Sequence, residues 1–361
     1  MPSSTSSSRM EFQRMIPEKS WVRILIASFI LTVGFAIAWE VYARSLGYRP
    51  SLNDTSDLWT LRRAAVKQDS LVIIGTSRSL FDLDLDQIEK GLGMRPIQLG
   101  LVGSSPYPVF ENLANDESFH GTMIVDLLPL LFMAPAGPPM EIAEKAIKRY
   151  QNQAESQKWG EYLAMLLEEK IAFLKQDDLT LSALLDRVSV PSRASFHPAP
   201  KLPPYFSTLD RERRTKMAEQ AVTPGPLQNR VKFGWPPLFS PPPAPNWISP
   251  EAFGKNLREL IEARYQNIAS FAAKLRARGV KVIFVRLPVT GKVKEIEDQT
   301  SPRAGIWSRI LADTKYPGIY FEDYPELSQF QCPDWSHLSG PDSIEFTRRL
   351  VPHLLEALKK D

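Results

Sequence analysis

Five short apolar runs, each parted from the next by a stretch with helical spacing, constrain the fold of this chain more than any other feature. They cover residues 70–75, 96–99, 122–128, 280–287 (VKVIFVRL) and 319–321. Their almost unbroken hydrophobicity is that of parallel strands covered on both faces rather than of strands with one wet side. Between and after them, residues 83–92 place Leu85, Ile88 and Leu92 on one helical face. Residues 250–278 do the same with Leu257, Leu260, Ile261, Ile268 and Phe271, and further helices are expected over 304–311 and 343–358. Alternating strands and helices predict an α/β fold: a three-layer α/β/α, doubly wound (flavodoxin-like) parallel sheet of about five strands. Sheets of that kind bind ligands beyond the carboxyl ends of their strands, where the strand order reverses.

The alternation does not fill the chain. Residues 1–20 read as a polar, Ser-rich tail, 21–42 as a membrane anchor, 43–66 as a stalk running into a first helix, and 67–361 as the α/β domain. That first helix would carry Leu58, Trp59, Leu61 and Ala65. Within the domain, residues 135–250 read as an insertion. It begins with a long charged helix over 140–175 whose apolar stripe is Ile142, Ala146, Ile147, Tyr150, Leu163, Leu166 and Leu167. A proline-dense meander over 190–250 follows, including Pro203-Pro204 and Pro241-Pro242-Pro243, a density that excludes long helices and central strands. The basic run 211–216 is expected to be one exposed helical face. The insertion is expected either to cover the site or to be a solvated embellishment.

The segment WVRILIASFILTVGFAIAWEVY has an uninterrupted apolar core from Ile24 to Trp39, somewhat short of the roughly 20 residues that span a bilayer. Trp21 and Tyr42 suit the two interfaces, and Arg23 can snorkel outward. Ala36-Ile37-Ala38 resembles a signal-cleavage site, but aromatic and helix-forming residues continue straight through it, which favours an uncleaved anchor. Arg9, Arg14, Lys19 and Arg23 precede the apolar core, against Arg44 and Arg49 after it. The bias puts the N-terminus in the cytoplasm and the domain in the periplasm or outside the cell, with the lipid bilayer as a partner of residues 21–42. A net charge of +3 and no basic stripe argue against nucleic acid as a partner. Cys332, the single cysteine, excludes an intramolecular disulfide framework. The four histidines, His120, His197, His337 and His353, lack metal-ligand spacing, so neither metal nor cofactor is implied. His120 is expected near a strand start or the surface, His197 in the proline-rich loop, and His353 on the surface of the last helix.

Two separated strings carry chemistry. The first apolar run ends Ile74-Gly75-Thr76-Ser77-Arg78-Ser79, and near the other end lies Asp334-Trp335-Ser336-His337-Leu338. A serine just beyond a strand projects at the sheet edge, next to free backbone N–H groups that can hold an oxyanion. Taken alone it could equally be a helix N-cap. An Asp three residues before a His can hold the imidazole by Nδ1, leaving Nε2 to take a proton from a serine hydroxyl. Ser79 stands where the G-x-S-x-G elbow of α/β-hydrolases has its last glycine, so that motif is absent.

Together the two strings resemble the SGNH (GDSL-like) hydrolase superfamily, over residues 67–133 and 251–361. The resemblance assigns Ser77 as nucleophile, His337 as base and Asp334 as the group that orients it. It places Gly103, in Leu99-Gly100-Leu101-Val102-Gly103-Ser104, beside the Ser77 backbone N–H as an oxyanion donor. The family's third block, Gly-x-Asn-Asp, is missing: the third run reads Met123-Ile124-Val125-Asp126-Leu127-Leu128, with no asparagine donor, and Asp126 reads as a structural carboxylate. Gly-x-Ser-Arg is similar to the first block of a membrane-anchored branch, some of whose members modify extracellular polysaccharides. Arg78 is therefore a candidate substrate contact, or a structural ion-pair partner of Asp82 or Asp84. Trp335 is a candidate wall of the acyl or sugar pocket, or a packing residue. The implied activity is that of a serine esterase or O-acyltransferase on an acyl ester of a cell-envelope glycan or similar molecule. The alternative is a weakly active or inactive glycan-binding or scaffold subunit of an envelope membrane complex, with other proteins of that complex as partners.

Overall fold

The computed structural model of the protein describes residues 20–175, 179–185, 188, 207–239 and 247–360. The polar tail to residue 19, His197 and the prolines at 203, 204 and 241–243 lie outside the described residues. The apolar segment forms one helix, α1 (Trp21–Ser45), of 25 residues, about 37 Å at 1.5 Å per residue. Almost all of its apolar side chains are exposed, and by length and composition it can be a membrane anchor or a signal sequence.

Residues 43–66 are not a free stalk. Thr55 caps α2 (Ser56–Ala64), its hydroxyl accepting the Leu58 N–H at 2.9 Å. Trp59 is fully buried in the main core and donates Nε1–H to the Leu99 carbonyl at 2.9 Å. Arg63 pairs with Asp116 at 2.7 Å.

The α/β elements then follow: β1 (Leu71–Ile74), α3 (Ser77–Asp82), α4 (Leu85–Leu92), β2 (Ile97–Gln98), α5 (Tyr107–Ala114) and β3 (Thr122–Asp126). After a single turn, α6 (Pro129–Phe132), come α7 (Pro138–Asn152), α8 (Glu155–Glu168) and α9 (Leu181–Leu185). A hairpin of β4 (Ser207–Leu209) and β5 (Thr215–Met217) leads to α10 (Glu219–Val222), α11 (Pro226–Gly234) and α12 (Pro236–Phe239). The long α13 (Pro250–Ala277) precedes β6 (Lys281–Arg286), α14 (Gly291–Thr300), α15 (Ile306–Thr314), β7 (Gly318–Tyr320), α16 (Pro325–Ser328) and α17 (Gly340–Lys360).

The five expected runs form one parallel sheet in the order β2-β1-β3-β6-β7, flanked by helices. Every residue of β1 and β3 is buried, which is why these runs lack a polar face. The chain steps from β1 to β2 on one side and to β3 on the other, so the strand order reverses beside the carboxyl end of β1.

The insertion is packed rather than solvated. Met140, Ala143 and Ala146 of α7, Val231 of α11, Trp235, and Phe239 of α12 all join the main core. The expected continuous helix over 140–175 breaks at Gln153 and Ala154, whose backbones are extended; the Gln157 side chain accepts the Ala154 N–H at 2.9 Å and starts α8. Leu163, Leu166 and Leu167 face outward instead of lining a core, and so does Leu260 on α13. The basic run 211–216 is the turn and second strand of the β4–β5 hairpin, not a helical face. Arg213, left-handed at φ 61°, is fully buried and ion-paired with Asp54 because the hairpin folds back onto α2 and the sheet edge.

Candidate active site

β1 delivers the chain to a tight turn that only glycine permits. A Cβ at Gly75 would lie 2.5 Å from the Asp126 Cβ and 2.6 Å from the Ser79 Oγ, so its absence lets the ends of β1 and β3 meet. Asp126 accepts two hydrogen bonds on Oδ2, from the Thr76 N–H at 3.0 Å and the Thr76 hydroxyl at 2.7 Å. Thr76, not Ser77, is the N-cap of α3, accepting the Arg78 N–H at 3.2 Å. Ser77 is thereby released from capping. It opens the first turn of α3, where its own N–H meets no intrahelical acceptor.

Across the site, Asp334 shapes its loop. Its Oδ1 accepts the N–H groups of Ser336 at 2.9 Å and His337 at 2.7 Å. Its Oδ2 lies 2.7 Å from His337 Nδ1. Both Asp334 and His337 are fully buried. Burial alone pushes the Asp334 carboxyl up, but the His337 imidazole and these hydrogen bonds outweigh it and hold the group below its usual value. An ionised carboxylate only accepts, so Nδ1 carries the proton and Nε2 is the acceptor. Ser77 Oγ lies 2.8 Å from that Nε2, across 260 residues of sequence. The three groups stand in the arrangement of a nucleophile, a base and its orienter.

The loop after β2 lies against the serine turn. Leu101 N–H donates to the Gly75 carbonyl at 3.0 Å, and the Gln98 side chain takes the Gly100 N–H at 2.9 Å while donating to the Ser79 carbonyl at 2.7 Å. Gly103 on this loop is left-handed at φ 64° and partly exposed.

Arg78 is engaged inside the protein. Its side chain is 1% exposed, bonded twice to Glu297 at 3.2 and 2.5 Å and set against the Ser336 hydroxyl at 3.4 Å. Its ion-pair partner is Glu297 of α14, not Asp82 or Asp84, because the guanidinium turns inward under the Asp334 loop. Glu297 also pairs with Arg286 of β6. Burial pushes the Glu297 carboxyl up, and the two guanidiniums outweigh it and pull it below its usual value. Asp82, at the end of α3, accepts the Leu338 N–H at 2.8 Å and so ties the serine helix to the histidine loop. Burial drives the carboxyls of both Asp82 and Asp126 above the usual range.

Trp335, half-buried at φ 74°, forms one wall of a cleft of about 450 Å³ with Gln228, Lys232, Thr290, Gly291 and Gln331. Gly291 is required there, since a Cβ would meet the Trp335 ring at 2.4 Å. His120 is exposed, with Nδ1 3.0 Å from the Ser118 carbonyl. His353 of α17 pairs with Glu326 of α16, and neither histidine belongs to the site. Among the described residues no group of three His, Cys, Asp or Glu side chains is placed to hold a metal ion.

One contributor has no trace in the motif strings. Trp235, between α11 and α12, donates Nε1–H to Asp334 Oδ2 at 3.1 Å and packs edge-on against His337 at 5.3 Å. An aromatic held between proline-rich turns was the only signal, and proline density marks a loop without marking where its side chains go. Comparison of the chain with protein-family models, with curated proteins and with solved structures returned no match.

Proposed function

We propose that the protein is a serine esterase or O-acyltransferase of the SGNH (GDSL-like) type. In this reading it has a three-layer, flavodoxin-like domain exported to the periplasm or cell exterior and tethered by α1, which crosses the membrane with its N-terminus in the cytoplasm. The observation that carries the reading is the 2.8 Å approach of Ser77 Oγ to an imidazole whose other nitrogen is held by a buried carboxylate. The substrate would be an acyl ester of an envelope glycan or a similar molecule.

In this mechanism Ser77 Oγ attacks the acyl carbonyl as its proton passes to His337 Nε2, and Asp334 stabilises the imidazolium. The backbone N–H groups of Ser77 and Gly103 receive the oxyanion. His337 then returns the proton to the leaving oxygen, giving an acyl-Ser77 intermediate and a free alcohol. Water resolving that intermediate gives ester hydrolysis; a sugar hydroxyl gives acyl transfer. The second reading, a weakly active or inactive glycan-binding or scaffold subunit of an envelope complex, is favoured by the lack of an asparagine donor in the third run, which ends β3 in Asp126. Loss of one such donor costs about 3 kcal/mol of transition-state stabilisation.

A fluorophosphonate probe separates the two. The wild-type protein should form a covalent adduct at Ser77, and Ser77→Ala and His337→Ala should form none. Folded wild-type protein that stays unlabelled would sink the enzyme and leave the scaffold.

A further inference from the structure

Helix α8 is inside out. Its buried side chains are Glu161, Met165 and Glu168, whereas Trp159, Tyr162, Leu163, Leu166 and Leu167 point outward, Trp159 being 65% and Leu163 62% exposed. At 100° per residue these five lie within an arc of roughly 140°, the width of an apolar stripe that ordinarily faces a core. A soluble helix reverses this distribution, and an apolar patch this continuous marks a surface that is covered.

The foot of α8 meets the end of α1. Just past its end, the Lys170 carbonyl accepts from Arg44 Nη2 at 3.2 Å, and the Glu40 carboxylate accepts the N–H groups of Ala172 at 3.0 Å and Phe173 at 3.1 Å. Ala43, Tyr48, Ala172, Leu179 and Ala218 close a small core around this clasp. The stripe of α8 thus ends within one turn of the point where α1 leaves its apolar stretch. Further along the chain, Leu181 and Leu185 of α9 are exposed as well. Trp159 and Tyr162 are the residue types that settle at the headgroup level, and Lys170, exposed on the same arc, can reach lipid phosphates.

We infer that the outer face of α8 lies in the headgroup region of the bilayer that α1 crosses, so that the domain rests on the membrane instead of hanging from it. The inference rests on the anchor reading of α1. Its test uses the full chain in vesicles of phosphatidylethanolamine and phosphatidylglycerol. Cys332 is buried and is replaced by serine, and single spin labels are placed at the exposed positions Leu163→Cys, Phe29→Cys and Lys255→Cys. Accessibility to oxygen, which enriches in lipid, is compared with accessibility to a water-soluble nickel chelate. The labels at 163 and 29 should both favour oxygen, with ratios several-fold above that at 255. A label at 163 that matches the one at 255, while 29 remains lipid-embedded, overturns the inference and leaves the anchor intact. A label at 29 that is itself nickel-accessible overturns the anchor, and the inference with it. A label at 163 shielded from both reagents, with broadening that disappears on dilution by unlabelled protein, shows a second copy of the chain on this face and also overturns it.

Discussion

Asp334 uses four acceptor positions at once: two backbone N–H groups, the His337 imidazole and the Trp235 indole. A carboxylate so held has one orientation, and the imidazole inherits it. Trp235→Phe removes one donor to a charged group and keeps most of the ring. A hydrogen bond of that kind contributes about 1.5 kcal/mol, so fluorophosphonate labelling should slow about tenfold while circular dichroism is unchanged. In an Asp334→Asn background the same change should add little, because both substitutions act on one unit; labelling at the wild-type rate in the single variant would show the bond to be passive. Gly291→Ala places a methyl group into the Trp335 ring at a positive φ. It should destabilise the fold by about 1–3 kcal/mol in chemical denaturation, or force Trp335 out of its rotamer, seen as a changed indole environment. Ser77, Asp334 and His337 were legible because each sits in a short string whose local spacing already states its geometry. Trp235 and Glu297 were not: each meets its partner through a contact that only tertiary folding creates, and the ion pair expected of Arg78 forms with a different partner because that partner lies 219 residues away.

Among elements, the strands were the most legible. Burial on both faces leaves β1, β3 and β6 with no polar alternation, and that composition survives any context. Helices outside the sheet layers were harder to place, because periodicity reports that a stripe exists and not what it faces. The stripe of α8 is legible as a stripe but its outward direction is not, and the basic run 211–216, expected as a helical face, is a hairpin, since a short charged segment carries no periodicity to separate the two. The buried side of α8 also has a pH signature. Burial against α2 pushes the Glu161 carboxyl from 4.5 up to about 7, opposed by its hydrogen bond to Thr55 and reinforced by Glu168, Asp57 and Asp54. A raised acid stabilises the fold fully below about pH 4.5, and that contribution is lost as pH rises through 7. Glu161→Gln should therefore match wild type near pH 4. Its Tm should exceed wild type by a growing margin of a few degrees up to about pH 7, then level off; a margin independent of pH would refute the assignment.

At the scale of the molecule, the segments that looked peripheral are structural. Leu52, Leu58 and Trp59 are buried, and the β4–β5 hairpin is pinned to them through Arg213 and Asp54. A chain starting at Tyr48 should unfold cooperatively, whereas one starting at Lys67 should be recovered aggregated or without a transition. Within the full chain, Trp59→Ala should lower stability by about 3–5 kcal/mol in denaturant titration. Alternation of strands and helices disclosed the sheet, but segments outside it bury their apolar residues without a repeating pattern, so their docking was not legible. The order of the two halves of the site along the polypeptide matters for biogenesis. His337 trails Ser77 by 260 residues, and Trp235 comes between them. If the proposed chemistry holds, a ribosome building the chain from its N-terminus makes an inert hydroxyl first, and the nascent polypeptide holds no reactive pair until the loop of His337 has closed over the end of β1.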